Sequence, residues 1–263
     1  MLCFGLYVFA FSTILLRGHS YISSKIHSYV GMSLKRTILA TLFWKQGMKT
    51  KRFVNYFEDE KMDIGKITDF IEEAERLKTV TRTAKTSEGK TESTAEHSWR
   101  LALLACVVAD EYSNLNMERV LTMCLIHDIG EIYEGDIPAI RQVDKVQKYE
   151  IELRAAKKIF SLLPEEKRNR LMEIWKEYND CKTPEARLVK ALDKAETILQ
   201  HNQGKNPDDF DYGFNLYYGQ EFFNDPNLKE LRTYLDERTR DKILKENPEF
   251  KQADLVPVMD INI

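Results

Sequence analysis

The chain has 263 residues, 43% of them hydrophobic, with 39 Lys and Arg against 42 Asp and Glu. That is enough apolar material for a sizeable core. A net charge of −3 gives no basic excess for a nucleic-acid polymer and leaves room for a small anionic ligand at a locally positive site.

Residues 2–16 are mostly apolar and end at Arg17. The run is shorter than the ~20 residues that span a bilayer, and it lacks the basic start and small-residue cleavage site of a secretory signal. Residues 1–47 are therefore read as an N-terminal extension, with membrane association through residues 1–16 left open and a cytoplasmic location expected. The four cysteines, Cys3, Cys106, Cys124 and Cys181, include no Cys-x-x-Cys pair. Cys106 and Cys124 lie in apolar helical runs and read as buried, reduced thiols.

Organised sequence starts near Ile64, where Ile64, Ile67, Phe70, Ile71, Ala74 and Leu77 keep helical spacing. Residues 78–92 are rich in Thr, Ser, Lys and Arg and read as a loop, with Arg82 inside it. Ser93-Thr94-Ala95-Glu96 matches a capping box ahead of a helix over 94–111. His97 sits in its first turn, on the stripe of Leu101, Leu104 and Val108.

The next helix, 117–131, carries the segment the chain turns on: Leu121-Thr122-Met123-Cys124-Leu125-Ile126-His127-Asp128-Ile129-Gly130-Glu131. A helix apolar on most sides is buried. A buried carboxylate needs a paired cation or a metal, so Asp128 needs a positive partner, and His127 offers a ring nitrogen to the same ion. An ion pair with Lys or Arg would also serve. Gly135-Asp136-Ile137-Pro138 ends the helix and brings Asp136 close by.

Helices are expected over 143–160 and 165–179. Another opens at Thr183-Pro184, Thr as N-cap and Pro at N1, with Leu188, Ala191, Leu192, Ala195 and Leu199 as its core face. Asp193 lies beside that face and has Lys190 and Lys194 as local pairing candidates. A turn-rich stretch, the aromatic segment Phe214-Asn215-Leu216-Tyr217-Tyr218 and a helix over 228–244 follow. No alternating stretch of useful length appears, so the fold class is all-α.

His97, His127-Asp128 and Asp193, each on its own helix, resemble the ligand set of the HD-domain metal-dependent phosphohydrolases. The likeness covers Ile64 to Asn202 and includes Glu96-His97, the His127-Asp128-Ile129-Gly130-Glu131 run, Gly135-Asp136-Ile137-Pro138 and Leu192-Asp193-Lys194-Ala195-Glu196. It implies an HD-domain helical bundle over 62–205, with 206–263 a C-terminal helical segment packed on it. Within that superfamily the sequence is most similar to the 5'-deoxynucleotidases, which remove phosphate from deoxyribonucleoside 5'-monophosphates. By that resemblance His97, His127, Asp128 and Asp193 hold a divalent cation (Mn, Co, Mg or Zn). Glu131 positions or deprotonates water, Asp136 meets the sugar hydroxyl, and Arg82 reaches the phosphate. The resemblance also implies a homodimer. The bacterial form of the branch has Trp after the Arg, where this chain has Thr83, so deoxy-versus-ribo selectivity is left open. Phosphohydrolysis of another nucleotide and nucleotide sensing without turnover are the alternatives.

The donor set suits the implied chemistry. Two imidazoles and two carboxylates fit a borderline divalent ion with open positions. Such an ion acidifies water and neutralises phosphoryl oxygens.

Overall fold

The computed structural model describes residues 62–136 and 144–246. Helix α1 spans Ile64–Ala74, capped by the Asp63 side chain, and runs into a 3-10 turn at Glu75–Lys78. Strands β1 (Thr81–Lys85) and β2 (Thr91–Ser93) pair antiparallel, with Thr81 opposite Ser93. Helices α2 (Thr94–Val107), α3 (Met117–Ile126), α4 (Lys145–Phe160), α5 (Glu165–Asp180), α6 (Pro184–Gln203) and α7 (Pro226–Glu246) follow. The described chain is thus essentially all-α.

Helix α6 is the axis of the bundle. Helices α2, α3, α5 and α7 all pack on it, and only its first turn and scattered positions reach solvent. Its Thr183 cap accepts from Ala186 N at 3.2 Å, with Pro184 at the first helical position, where a missing N–H costs nothing. The core joins Leu101 and Ala105 of α2, Val120 and Met123 of α3, Ile159 and Phe160 of α4, Trp175 of α5 and Leu192 and Ile198 of α6.

Three expectations need correction. The polar loop over 78–92 is largely a hairpin. Its strands are too short and too polar for an alternating pattern to register, and their backbone bonds and anchorage to α6 hold them instead. Gln200 Nε2 donates to the Lys85 carbonyl (2.7 Å), Lys85 N to Asn206 Oδ1 (3.0 Å) and Lys205 N to the Thr86 carbonyl (3.0 Å). The helix expected to reach Glu131 ends at Ile126. His127 caps it, and a separate 3-10 turn carries Ile129–Glu131. Cys106 is exposed on α2, whereas Cys124 is buried and Cys181 half-buried; α2 turns Cys106 to the same side as Leu103 and Val107, which are also exposed. The extension over 1–47, including the run over 2–16 and Cys3, lies outside the described residues, as do Ile137 and Pro138. Among the described residues no helix is long and apolar enough to cross a membrane.

Candidate metal centre

Each candidate ligand is placed by a local device. The capping box is present in full: Ser93 Oγ accepts from Glu96 N (3.2 Å), and the Glu96 carboxylate accepts from Ser93 N (2.8 Å). This fixes the entry to α2 and sets His97 one turn in, fully buried. The helix break at His127 puts Asp128 at φ −95°, ψ 14°, off the helical path, so its carboxylate and the His127 ring turn toward one point. Gly130 lets that turn lie against α4. A Cβ there would stand 2.6 Å from Glu152 Cβ and 2.9 Å from Glu152 Cα. Helix α6 brings Asp193 from the other side.

The four residues converge. His97 Nε2 lies 3.2 Å from Asp193 Oδ1, His127 Nε2 lies 3.0 Å from Asp128 Oδ2, and the two rings are 5.3 Å apart, centroid to centroid. His97, His127 and Asp193 offer ligand atoms within one coordination-sized cluster. The protonation pattern fits a cation. His127 Nδ1 donates to the Cys124 carbonyl at 2.9 Å, which can only accept. His97 Nδ1 meets the Glu196 carboxylate, which accepts as well. A neutral imidazole that gives its proton through Nδ1 has a bare lone pair at Nε2. Both Nε2 atoms are buried and lack an aligned hydrogen-bond partner, despite the nearby carboxylate oxygens. Two bare nitrogens and two carboxylates facing each other in a buried space are what a divalent cation satisfies.

The electrostatics agree. Burial acts to raise the pKa of Asp193, but Lys194 and the two histidines outweigh it and hold the carboxyl well below its usual range. Asp128 is held low against burial by His127 and His97. For His97, burial and Arg82 disfavour a proton, yet Glu196 and Asp193 overcome them and raise its pKa to about 9. A divalent ion at Nε2 answers the same field and displaces that proton.

Around the ligands is a supporting shell that the sequence did not disclose. Trp175 Nε1 donates to the His127 carbonyl (3.1 Å). Tyr178 Oη (2.8 Å) and Lys194 Nζ (3.0 Å) both donate to Asp193 Oδ2, and Lys194 also donates to Tyr218 Oη (2.9 Å). Lys194 is thus the local partner of Asp193, and Lys190 is not. A second acidic group, Glu92, His97 and Glu196, is close enough to suggest another ion site. Two arginines occupy it instead: Arg100 Nε lies 2.6 Å from Glu196, and Arg82 Nε 3.4 Å from Glu92. Burial and Glu196 still push Glu92 up to about 7.

The centre forms part of the wall of a cavity of about 660 Å³. Glu131, Arg82, Thr83 and Asp136 line it too. Glu131 is buried and accepts from Thr94 Oγ1 (3.3 Å); burial first, then Asp128 and Asp136, hold its pKa well above the carboxylate range. Arg82 donates to Asp128 Oδ2 (3.5 Å) and Thr197 Oγ1 (3.1 Å). Burial opposes its charge, but Asp128 and three further carboxylates outweigh it. Asp136 follows Gly135, whose φ of +83° makes the left-handed turn there. The aromatic segment divides: Phe214 and Tyr218 face the cavity, while Tyr217 is exposed.

A bundle with His97, His127-Asp128 and Asp193 gathered at a cavity is the arrangement of HD domains, and residues 74–232 match that family. The chain belongs to the HD domain family. It is 33% identical over 180 residues to human 5'-deoxynucleotidase HDDC2, a match covering 65% of this chain and 84% of the relative. To the protein of the same name from Dictyostelium discoideum it is 32% identical over 165 residues, covering 59% and 85%. A crystal structure of a predicted metal-dependent phosphohydrolase from Magnetospirillum magnetotacticum superposes with a TM-score of 0.58 at 26% identity, covering 70% of this chain and 96% of that one.

Proposed function

We propose that this chain is a metal-dependent phosphomonoesterase that releases phosphate from (deoxy)ribonucleoside 5'-monophosphates. The observation that carries the reading is the pair of buried, bare Nε2 atoms on His97 and His127, facing Asp128 and Asp193 at a nucleotide-sized cavity. The relatives named above support the substrate class. When bound, a divalent cation supplies Lewis acidity for water and for phosphoryl oxygens.

The chain's own residues do the rest. His97, His127, Asp128 and Asp193 hold the ion. Glu131 takes the proton of the attacking water at a carboxylate oxygen: its buried position beside Asp128 and Asp136 gives it a high proton affinity, and a cation held by the neighbouring ligands would favour its ionised form. Arg82 has five N–H donors, of which Nε faces Glu92 and one each on Nη1 and Nη2 goes to Asp128 and Thr197, leaving two for phosphate oxygens. Asp136, at the cavity wall, accepts from the sugar 3'-hydroxyl. Thr83 leaves room for a 2'-hydroxyl, so ribo and deoxy substrates should differ little. The enzyme is proposed to work as a cytoplasmic homodimer; light scattering that finds only monomer at micromolar concentration would remove the dimer.

The test is phosphate release from 5'-dAMP, 5'-AMP and 3'-AMP with Mn, Co, Mg and Zn in turn. Turnover of both 5'-monophosphates is expected, with 3'-AMP rejected because its phosphate meets Asp136. A site built around a hydroxyl can reject an analogue by up to ~10⁴-fold. No release from any nucleotide with any of the four metals sinks the proposal, and efficient use of 3'-AMP sinks the role of Asp136.

A further inference from the structure

Helix α6 presents Lys190, Asp193, Lys194 and Thr197 to the cavity, a spacing of three and four that keeps them on one stripe. Asp193 is a ligand of the centre. One turn toward the helix C-terminus, Thr197 holds Arg82. Three residues the other way stands Lys190, about 4.5 Å along the axis.

Lys190 differs from the other half-buried cations of this wall. Arg82 is bound to Asp128 and Thr197, Lys148 lies 3.4 Å from Glu152, and Lys194 pairs with Asp193 and Tyr218. The Lys190 ammonium instead lies 3.6 Å from the centroid of the Tyr178 ring, and among the described residues no carboxylate stands within ion-pair distance of it. The same Tyr178 ring packs edge-on with His127 (5.1 Å between centroids) and bonds Asp193 through its hydroxyl. The ammonium is therefore seated beside the centre on a ring that the centre itself fixes. Burial and Lys194 push its pKa down to about 8 against the pull of Asp193 and Asp128. The substrate, for its part, is short of countercharge. Asp128 and Asp193 balance a divalent cation between them, so a dianionic phosphate must find positive charge elsewhere on the wall.

We propose that Lys190 is a phosphate-binding residue, gripping the monoester dianion from the side of the centre opposite Arg82. The inference rests on the phosphomonoesterase reading for its substrate, but its test does not need turnover.

The experiment measures binding of inorganic phosphate to the full-length, metal-loaded protein by calorimetry, for the wild type, Lys190→Met and Lys190→Arg. Metal content is measured on the same samples. Met keeps the apolar stem over Tyr178 and removes the charge. Losing one charge-assisted contact should weaken phosphate binding by about 10-fold or more, with Lys190→Arg recovering most of it and metal content equal in all three. Phosphate binding by Lys190→Met within twofold of wild type overturns the proposal. So does a wild type that fails to bind phosphate at millimolar concentration. Loss of metal together with phosphate in Lys190→Met overturns it as well, since Lys190 would then be acting on the ligands through Tyr178. If no nucleotide is hydrolysed yet Lys190→Met still weakens phosphate binding, the function falls and Lys190 stands.

Discussion

Replacing Glu196 by Gln tests how the centre is held together. The Glu196 carboxylate accepts from His97 Nδ1 and is ion-paired with Arg100, whose Nε lies 2.6 Å from it, so one buried acid faces two positive or polarised groups. Burial acts to raise its pKa, and His97 and Arg100 overcome that and keep it low. Gln has nearly the same shape but only one acceptor oxygen. If that oxygen stays with His97, the amide NH₂ faces Arg100, donor against donor. If it turns to Arg100, His97 loses the partner that keeps its proton on Nδ1 and its lone pair on Nε2. Either way a charge-assisted interaction of the acid is lost, on the order of 1.5–3 kcal/mol where it is the His97 hydrogen bond. Partners of this kind typically govern metal affinity by 10–100-fold, or about 1.4–2.7 kcal/mol. The assay is competition for Mn or Co against a chromogenic chelator, with circular dichroism to confirm the fold. Glu196→Asp, which keeps the charge, should recover part of the affinity, and Arg100→Ala, which leaves the His97 bond intact, should cost less than Glu196→Gln. Metal affinity of Glu196→Gln within twofold of wild type, in a folded protein, would show that the Nδ1 partner does not set the ligand state of His97.

Glu131→Gln should keep the metal and lose at least ~10²-fold in kcat, the usual contribution of a general base; near-normal turnover would move the proton to another acceptor, the phosphate included. Gly130→Ala should drive a methyl into the α4 backbone at Glu152, costing about 1–3 kcal/mol; Tm should fall by roughly 2–12 °C for a chain of this size, with weaker metal binding because the displaced turn carries Asp128 and Glu131. An unchanged Tm would mean that α4 yields freely. His201, buried against Asn215, has its pKa pushed down to about 4, chiefly by burial. The unfolded chain takes up this proton first as pH drops, so the associated stability is complete above pH ~6.5 and is lost as pH falls through ~4, about 3 kcal/mol in all. Urea unfolding of wild type and His201→Gln at pH 7.5 and pH 4 should show the wild type losing more; parallel losses would refute the assignment.

The candidate ligands were partly legible: His97 and His127 are polar residues on apolar helical stripes, whereas Asp193 lies beside a core face and joined the set through the family resemblance. His97 follows a capping box, His127 and Asp128 end an apolar run, and Asp193 sits beside a core face. What holds them was not legible. Trp175 reaches His127 from 48 residues away and Tyr178 reaches Asp193 from 15, contacts fixed by how α5 packs on α3 and α6 and not by any local pattern. Arg82 was placed near the phosphate only by resemblance. Its strand is five residues long, with Ala84 alone buried in it, too little for alternation to show. The break after Ile126 was hidden because Ile129, Gly130 and Glu131 continue the helical spacing. The close approach of Gly130 to Glu152, which leaves no room for a Cβ, is a tertiary contact that no local pattern announces.

The anchorage of the hairpin to the far end of α6 bears on how the protein is made. Arg82 is synthesised early, yet the strand that carries it is fastened by Gln200, Lys205 and Asn206, more than a hundred residues later. A chain still on the ribosome cannot complete the centre until Asp193 has emerged, and cannot seat Arg82 until about a dozen residues after that. Fragments that stop before α6 would carry His97, His127 and Asp128 without their fourth ligand, the Glu196 that orients His97, or the Lys190 side of the cavity. Chains that stop before α6 would therefore lack the proposed activity, which can arise only once α6 and the residues just after it are in place.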